Sequence, residues 1–241
     1  MPVDPIQLNS GGLSNQLLIG RVPGGGSGAS DVFRKSFGEP IPKIADIHHN
    51  AELRAIFSQM GMLGRLERKL RNLSRKKGRI VPAKGTIACA LSACEGTENE
   101  DLVFVGVDFA QEYQSEEETI AGVLAHEWGH LTSDFPHGIN PDELTWEEIF
   151  ALRKSEECNA DAYAGRMLYL MRYKPEGLIK FLSKPRYAKE THKYHSHVTR
   201  AAIIQRAYQH AQRQQQQIQN FNLIPGATFR NLMTAQLIGV A

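Results

Sequence analysis

The 241-residue sequence lacks any long hydrophobic run. No stretch approaches the roughly 18 consecutive apolar residues typical of a membrane-spanning helix, so we expect no transmembrane insertion. No basic leader with an apolar stretch of signal-peptide length opens the chain, and Sec-type export is therefore not expected. We expect a cytoplasmic protein, or one translocated by a non-Sec route as a secreted effector would be.

Cysteine is scarce and the charge is nearly balanced. The three cysteines, Cys89, Cys94 and Cys158, form no C-x-x-C pair, which argues against a disulfide framework or a cysteine-based zinc site. The formal net charge of only +2 provides no overall attraction to nucleic acid or anionic membrane. Eight Lys or Arg fall within 65–79, but a leucine stripe accompanies them, so we interpret them as a solvated helix face and expect no nucleic-acid partner.

The distribution of glycine and of apolar residues divides the chain into three parts. Residues 1–45 are rich in Gly and Pro and predict a flexible N-terminal arm. Residues 46–220 predict a single domain, and residues 221–241 a C-terminal tail. Runs rich in Val, Ile, Phe and Ala predict strands at Arg79–Val81, Thr86–Leu91 and Leu102–Phe109.

Helical periodicity and capping signals surround these strands. Asn50 can cap a helical region that bends near Met60–Gly64. Two capping boxes, Ser115 with Glu118 and Thr145 with Glu148, open two longer helices. After the strands, the first predicted helix ends near Thr132. Three further helices are predicted over about Trp146–Met171, Pro175–Leu182 and Val198–Gln219. The chain is therefore predicted to be an α+β protein with additional C-terminal helices.

The first long helix contains the segment His126-Glu127-Trp128-Gly129-His130. Residues four apart lie one turn above each other on one helix face, so the two imidazoles can bind a single zinc ion. Glu127 can reach a zinc-bound water without binding the metal, which is the position of a general base.

A third metal ligand must come from elsewhere in the chain. A metzincin pattern would need His at position 136; Pro136 stands there, and His137 is one residue out of register. Glu157 and Asp161 lie four apart on the second long helix, so one face presents both carboxylates. We predict that Glu157 is the third ligand and that Asp161 accepts the N–H of a ligating histidine. Glu156 is the alternative register.

This arrangement resembles the gluzincin zinc metallopeptidases, and most of all the family of the CAAX prenyl proteases and membrane heat-shock proteases. The matching stretch, 116–167, has the family's acidic lead-in, its H-E-x-G-H helix and its downstream E-x-x-A-D, here Glu157–Asp161. The resemblance implies a zincin-like fold, with a small, mostly antiparallel sheet packed on the two motif-bearing helices. Members of that family commonly carry transmembrane helices, whereas we expect none in this chain. The resemblance therefore implies the catalytic machinery but not a membrane location. A sister resemblance, to phage-repressor-cleaving metallopeptidases with an E-x-x-A-N motif, is disfavoured by Asp161.

The resemblance also implies roles outside the two helices. Ile87, Ala88, Cys89 and Ala90 stand where the family has an N-A-F-A edge strand that pairs with the substrate backbone. His195, His197 and Arg200 lie where the family has a His and a downstream Arg that hold the transition state, and the assignment among the three stays open.

Together these features predict an endopeptidase with one zinc ion per chain, acting on an extended protein or peptide segment. The alternative is a non-catalytic interaction protein with a structural zinc. In that case a fourth protein ligand would close the site. The candidates for that ligand are His192, His195, His197 and His210.

Overall fold

Three short apolar strands and a larger set of helices make up an α+β fold that is mostly helical. A computed structural model describes residues 28–86, 88–91 and 100–222, with side chains as far as residue 220. In chain order the elements are α1 (Ala29–Ser36), α2 (Ala51–Phe57), α3 (Met62–Ser74), β1 (Arg79–Ala83), β2 (Ala88–Leu91), β3 (Leu102–Gly106), α4 (Val107–Glu112), α5 (Glu117–His130), α6 (Trp146–Met171), α7 (Glu176–Leu182), α8 (Pro185–Ala188) and α9 (His197–Asn222).

Of the three helix starts predicted from capping residues, two are found at the predicted positions. The side chain of Asn50 accepts a hydrogen bond from the Leu53 amide and opens α2. Thr145 forms a complete capping box with Glu148, and α6 spans the predicted residues. The box predicted at Ser115 is wrong, because α5 begins two residues later and the Glu116 carboxylate accepts the Thr119 hydroxyl instead.

The sheet is mixed rather than mostly antiparallel. Its strand order is β1-β3-β2, with β1 parallel and β2 antiparallel to β3. Strands β1 and β2 run in opposite directions, so β3, which lies between them, is parallel to one and antiparallel to the other. Strand β3 ends at Gly106, three residues before the predicted Phe109. Beyond that point the buried residues Phe109, Ala110 and Tyr113 follow helical spacing in and after α4.

The two edges of the sheet differ. The outer edge of β1 is covered by the segment around Lys43–Ala45, through hydrogen bonds from the Ala45 amide to the Pro82 carbonyl and from the Lys84 amide to the Lys43 carbonyl. Pro82 has no amide proton and is tolerated in this edge strand. In the described ranges no strand pairs with the outer edge of β2, although α1 packs nearby.

Helix α5 lies at the centre of the molecule. Every residue from Thr119 to His130 is buried, so the helix has no solvated face. It packs on α6, α7, α3 and the sheet, and α6 packs in turn on α9. The indole N–H of Trp128 donates to the Ser74 hydroxyl at 3.0 Å and joins α5 to the end of α3. The HExxH motif is thus part of the hydrophobic core.

The prediction of a flexible arm over 1–45 is wrong for its last part. Residues 29–36 form α1, and Phe33 is buried against Phe135 and Ile149. The Ala29 amide also donates to the Ser133 carbonyl, which fixes the start of the helix. Glycine-rich composition suggested flexibility here, but one buried aromatic side chain anchors the segment. Residues 1–27 and the tail from 223 lie outside the described residues, and α9 continues to Asn222.

Among the described residues, no helix combines the length and the apolar character needed to cross a lipid bilayer.

A substitution at Gly165 tests the packing of α6 on α9. Alanine in a helix interior normally stabilises relative to glycine by about 0.5–1 kcal/mol. Here a Cβ at Gly165 would lie 2.2 Å from the Ile204 carbonyl oxygen, so the helices would have to separate. We expect Gly165→Ala to lower the free energy of unfolding by about 1–3 kcal/mol, measured by urea denaturation. The control Ser155→Ala, on the exposed face of α6, should be neutral or slightly stabilising. Stabilisation by Gly165→Ala would contradict this packing.

Candidate metal centre

The two imidazoles of the HExxH segment converge on one point. The Nε2 atoms of His126 and His130 lie 3.1 Å apart, with the rings nearly perpendicular. Both side chains are buried. Two ligands at about 2.0–2.1 Å from a tetrahedral zinc ion are separated by roughly 3.3 Å, so the nitrogens have the spacing of a shared metal.

Glu157 on α6 completes a triangle of donor atoms. Its Oε2 lies 3.2 Å from His126 Nε2, and its Oε1 lies 3.6 Å from His130 Nε2. Within the described part of the chain, His126, His130 and Glu157 form the one group of side chains arranged to hold a metal ion, and all three are buried. His137, the competing third ligand, is exposed in the loop after α5.

The hydrogen bonding of Glu157 fits a metal ligand. Both carboxylate oxygens are buried and make no hydrogen bond. Besides the two imidazoles, they contact two guanidinium groups, with Arg153 Nη2 at 2.5 Å and Arg200 Nη2 at 3.7 Å. Buried carboxylate oxygens without a hydrogen bond are costly, and a bound cation would satisfy them.

A carboxylate faces the outer nitrogen of each imidazole. Asp161 Oδ1 lies 2.9 Å from His126 Nδ1, in a contact that lacks the direction of a hydrogen bond. Glu156 Oε1 contacts His130 Nδ1 directly. Such outer carboxylates orient the ring and keep the proton on Nδ1, so that Nε2 is left to bind the metal.

The close approach of α5 and α6 makes this geometry possible. A Cβ at Gly129 would lie 2.8 Å from the Ala160 Cα, so only glycine fits between the two motif histidines and the neighbouring helix. Gly129 is a motif residue that binds nothing and sets the distance between the two halves of the site.

The buried charges of the site favour a divalent cation. The site residues include four buried carboxylates, those of Glu127, Glu156, Glu157 and Asp161. Two guanidinium groups, those of Arg153 and Arg200, pair with the last three. With neutral imidazoles the cluster therefore carries a net charge of −2. A buried negative charge of this size is unfavourable unless a cation compensates it.

The pKa of His126 reflects this excess of negative charge. Burial alone would lower its pKa, but contacts with Asp161 and Glu157 outweigh burial and raise it to about 10. Burial also disfavours the charged form of Glu157, yet Arg153 and the imidazoles hold the pKa of this carboxyl well below its usual range. In the metal-free protein, a proton on His126 supplies part of the missing positive charge.

Glu127 lies between the histidines in sequence and close to strand β2 in space. Its side chain is 9 % exposed. Burial, with a contribution from the Glu127 charge, raises the pKa of the Cys89 thiol to about 12. Strand β2 packs on α5, the helix that carries Glu127. Ala88 and Ala90 flank Cys89 in the same edge strand, whereas Ile87 lies outside the described residues.

The three C-terminal candidates have other partners. Arg200 is buried and holds Asp161 with two hydrogen bonds, of 2.7 and 2.8 Å. His197 Nδ1 lies 3.0 Å from the Ala188 carbonyl oxygen, and His195 Nδ1 lies 3.9 Å from Glu190. The structure thus brings Arg200 to the site as a support for Asp161, while both imidazoles contact the loop before α9.

Two residues around the site, Arg153 and Tyr194, were not identified from the sequence. Glu156, the alternative third ligand, contacts the outer nitrogen of His130 instead. Arg153 pairs with both Glu156 and Glu157, as its spacing of three and four residues on one helix allows. That spacing is a sequence signal that could have been used. Tyr194 is contributed by the loop before α9, and no local pattern relates it to α5 or α6.

The chain matches no protein-family model, and no curated protein or solved structure is significantly similar to it.

Metal binding should release protons. Because the pKa of His126 is about 10 in the metal-free protein, this imidazole is protonated at pH 7–9 and must lose its proton to bind. We expect release of at least one proton per ion, and an affinity that rises about tenfold per pH unit over this range. Calorimetric titration with Zn²⁺ in two buffers of different ionisation enthalpy measures the release.

A control removes one of the two carboxylates that raise this pKa. In Asp161→Asn the pKa of His126 should fall, and fewer protons should be released per ion. Metal binding without proton release, or with an affinity independent of pH, would contradict this assignment.

Proposed function

We propose that the protein is a zinc-dependent endopeptidase with a zincin-like arrangement of its motif helices. The observation that carries the proposal is the triangle of donor atoms from His126, His130 and Glu157, with Glu127 next to His126 in the same buried helix. Two imidazoles and one carboxylate are a donor set of catalytic zinc sites, which keep one coordination position open.

The donor set favours zinc as the metal. Imidazole nitrogens suit zinc and other late transition metals, whereas calcium and magnesium prefer oxygen ligands. Structural zinc sites, by contrast, have four protein ligands. Only three side chains form the group within the described residues, which supports a catalytic site over a structural one.

A zinc ion bound here would polarise the scissile carbonyl and lower the pKa of water to about 7. Glu127 then acts as the general base. Its carboxylate takes a proton from the attacking water as the new C–O bond forms, and it passes this proton to the amine nitrogen as the C–N bond breaks. Asp161 and Glu156 hold the two imidazoles in the required tautomer, and Arg200 holds Asp161.

Strand β2 is the proposed binding site for the substrate backbone. Among the described residues it is an edge strand, and it packs on α5, so we propose that main-chain groups of Ala88–Ala90 pair with an extended segment. Recognition by strand addition relies on main-chain hydrogen bonds and requires a flexible or unfolded stretch of chain. The proposed substrate class is therefore an extended protein or peptide segment.

Two substitutions separate metal binding from catalysis. Glu127→Gln should keep one zinc ion per chain and reduce cleavage of an unfolded protein such as casein at least 10²-fold, because the general base is lost. Glu157→Ala should lose the metal and the activity together. Elemental analysis gives the metal content, and mass spectrometry of new N-termini gives the cleavage.

The control is Glu147→Gln, which changes an exposed glutamate at the start of α6 and should alter neither property. Undiminished cleavage by Glu127→Gln would overturn the mechanism. A wild-type protein that binds zinc through a fourth protein ligand and cleaves nothing would be the structural-zinc protein instead.

A further inference from the structure

Residues 28–39, which we call the strap, lie against three elements of the candidate site. The strap contains α1, and α1 packs against both β2 and α6. Before α1, Gly28 forms an isolated antiparallel bridge with Asp134, in the loop that follows α5. The strap therefore contacts the strand proposed to bind substrate, the loop after the HExxH motif and the helix that carries Glu157.

Phe33 connects the strap to the surroundings of the metal centre. Its ring is 2 % exposed and packs edge-on against Phe135, with 5.7 Å between the ring centres. The guanidinium carbon of Arg153 lies 5.6 Å from the centre of the Phe33 ring, within cation–π range. Because Arg153 also pairs with Glu157, the buried ring of the strap touches the arginine that supports the third metal ligand.

The C-terminal end of the strap is fixed by aromatic stacking and an ion pair. Phe37 stacks on Phe150 and Trp146 of α6, with ring centres 5.7 and 6.1 Å apart. The Glu39 carboxylate pairs with the ammonium group of Lys193, in the loop before α9. The strap is thus attached at both of its ends to elements that surround the metal centre.

The apolar contacts of the strap are separate from the main hydrophobic core. Ala29 and Phe33 form a small buried cluster with Phe135 and Ile149. Among the described residues, none from the strap belongs to the large cluster around α5. An element with few buried apolar contacts opens locally at a lower free energy than the core. The strap can therefore leave its position while the main core stays folded.

The strap and an added substrate strand require the same space beside β2. A strand added to a sheet lies about 4.8 Å from its neighbour. A helix with its side chains is about 10 Å wide, and α1 already packs against β2. An extended segment that pairs along Ala88–Leu91 therefore has to displace α1.

We propose that the strap is an autoinhibitory segment, which takes the place of substrate beside β2 and must move away before an extended chain can pair there. This inference rests on the proposed peptidase function. The apparent affinity for substrate is then reduced by the fraction of molecules in which the strap is open. Fixing the strap should lower activity, and loosening it should raise activity.

A disulfide that fixes the strap tests the first expectation. Opposite residues of an antiparallel bridge have Cα atoms about 4.5–5.5 Å apart, a distance that a disulfide can span. The pair Gly28→Cys with Asp134→Cys should therefore crosslink under oxidation, which thiol titration confirms. We expect the oxidised, zinc-loaded protein to cleave casein at least about tenfold more slowly than after reduction with a phosphine. Each single variant, which cannot form this disulfide, should cleave at one rate throughout.

Phe33→Ala tests the second expectation and distinguishes an autoinhibitory segment from a structural one. The variant removes the ring that anchors the strap. We expect casein cleavage at least about tenfold faster than in the wild type, with unchanged zinc content, because a larger fraction of molecules is open. The matched control is Phe181→Ala on α7, whose ring packs against Phe109 and Tyr113 and whose loss should not accelerate cleavage.

A binding measurement tests the strap without turnover. When the cysteine pair is combined with Glu127→Gln, fluorescein-labelled casein should bind the reduced protein more tightly than the oxidised one. The ratio of the two Kd values, from fluorescence anisotropy, should match the ratio of the cleavage rates.

The outcomes separate the two claims. Equal cleavage by the oxidised and reduced cysteine pair would overturn this inference and leave the proposed function intact. Slower cleavage or loss of zinc in Phe33→Ala would also overturn it, because α1 would then support the site. Casein binding that depends on the disulfide, without cleavage by the wild type or by any variant, would overturn the proposed function and leave the strap as the cover of a binding surface.

Discussion

The close contact between α5 and α6 at Gly129 and Ala160 is the constraint on which the site depends. Neither helix alone provides a metal site, because one contributes two imidazoles and the other a carboxylate. A side chain at position 129 would push the helices apart by a few tenths of an ångström or more, and the donor triangle tolerates no such shift. The same contact contributes to the burial of the HExxH motif in a helix with no solvated face.

Burial of the motif places several negatively charged carboxylates away from water. Arginines on α6 and α9 offset part of this charge. Helix α6 supplies Arg153 and α9 supplies Arg200, and each contacts Glu157 as well as a second carboxylate. These cations cancel only half of the negative charge, so the cluster still favours a divalent ion. Packing of α9 on α6 therefore affects the charge balance of the metal site as well as the stability of the fold.

The predictions from the sequence were most accurate for features that depend on the geometry of a single helix. The HExxH spacing, the Glu157–Asp161 spacing and the bounds of α6 depend on one helix each, so periodicity and a capping box suffice. They failed where distant segments decide the structure. The parallel pairing of β1 with β3, the burial of Phe33 in α1 and the ion pair of Arg200 with Asp161 all depend on contacts between residues far apart in the chain. No local pattern encodes those contacts.

X-ray absorption at the zinc edge of the zinc-loaded protein tests the central claim most directly. We predict two imidazole nitrogens at about 2.0 Å, carboxylate oxygen, no sulfur, and one further oxygen that azide or a phosphinic peptide displaces. The Glu157→Ala protein should not give this spectrum. A zinc ion with sulfur ligands, or with four protein ligands and no exchangeable position, would contradict the account.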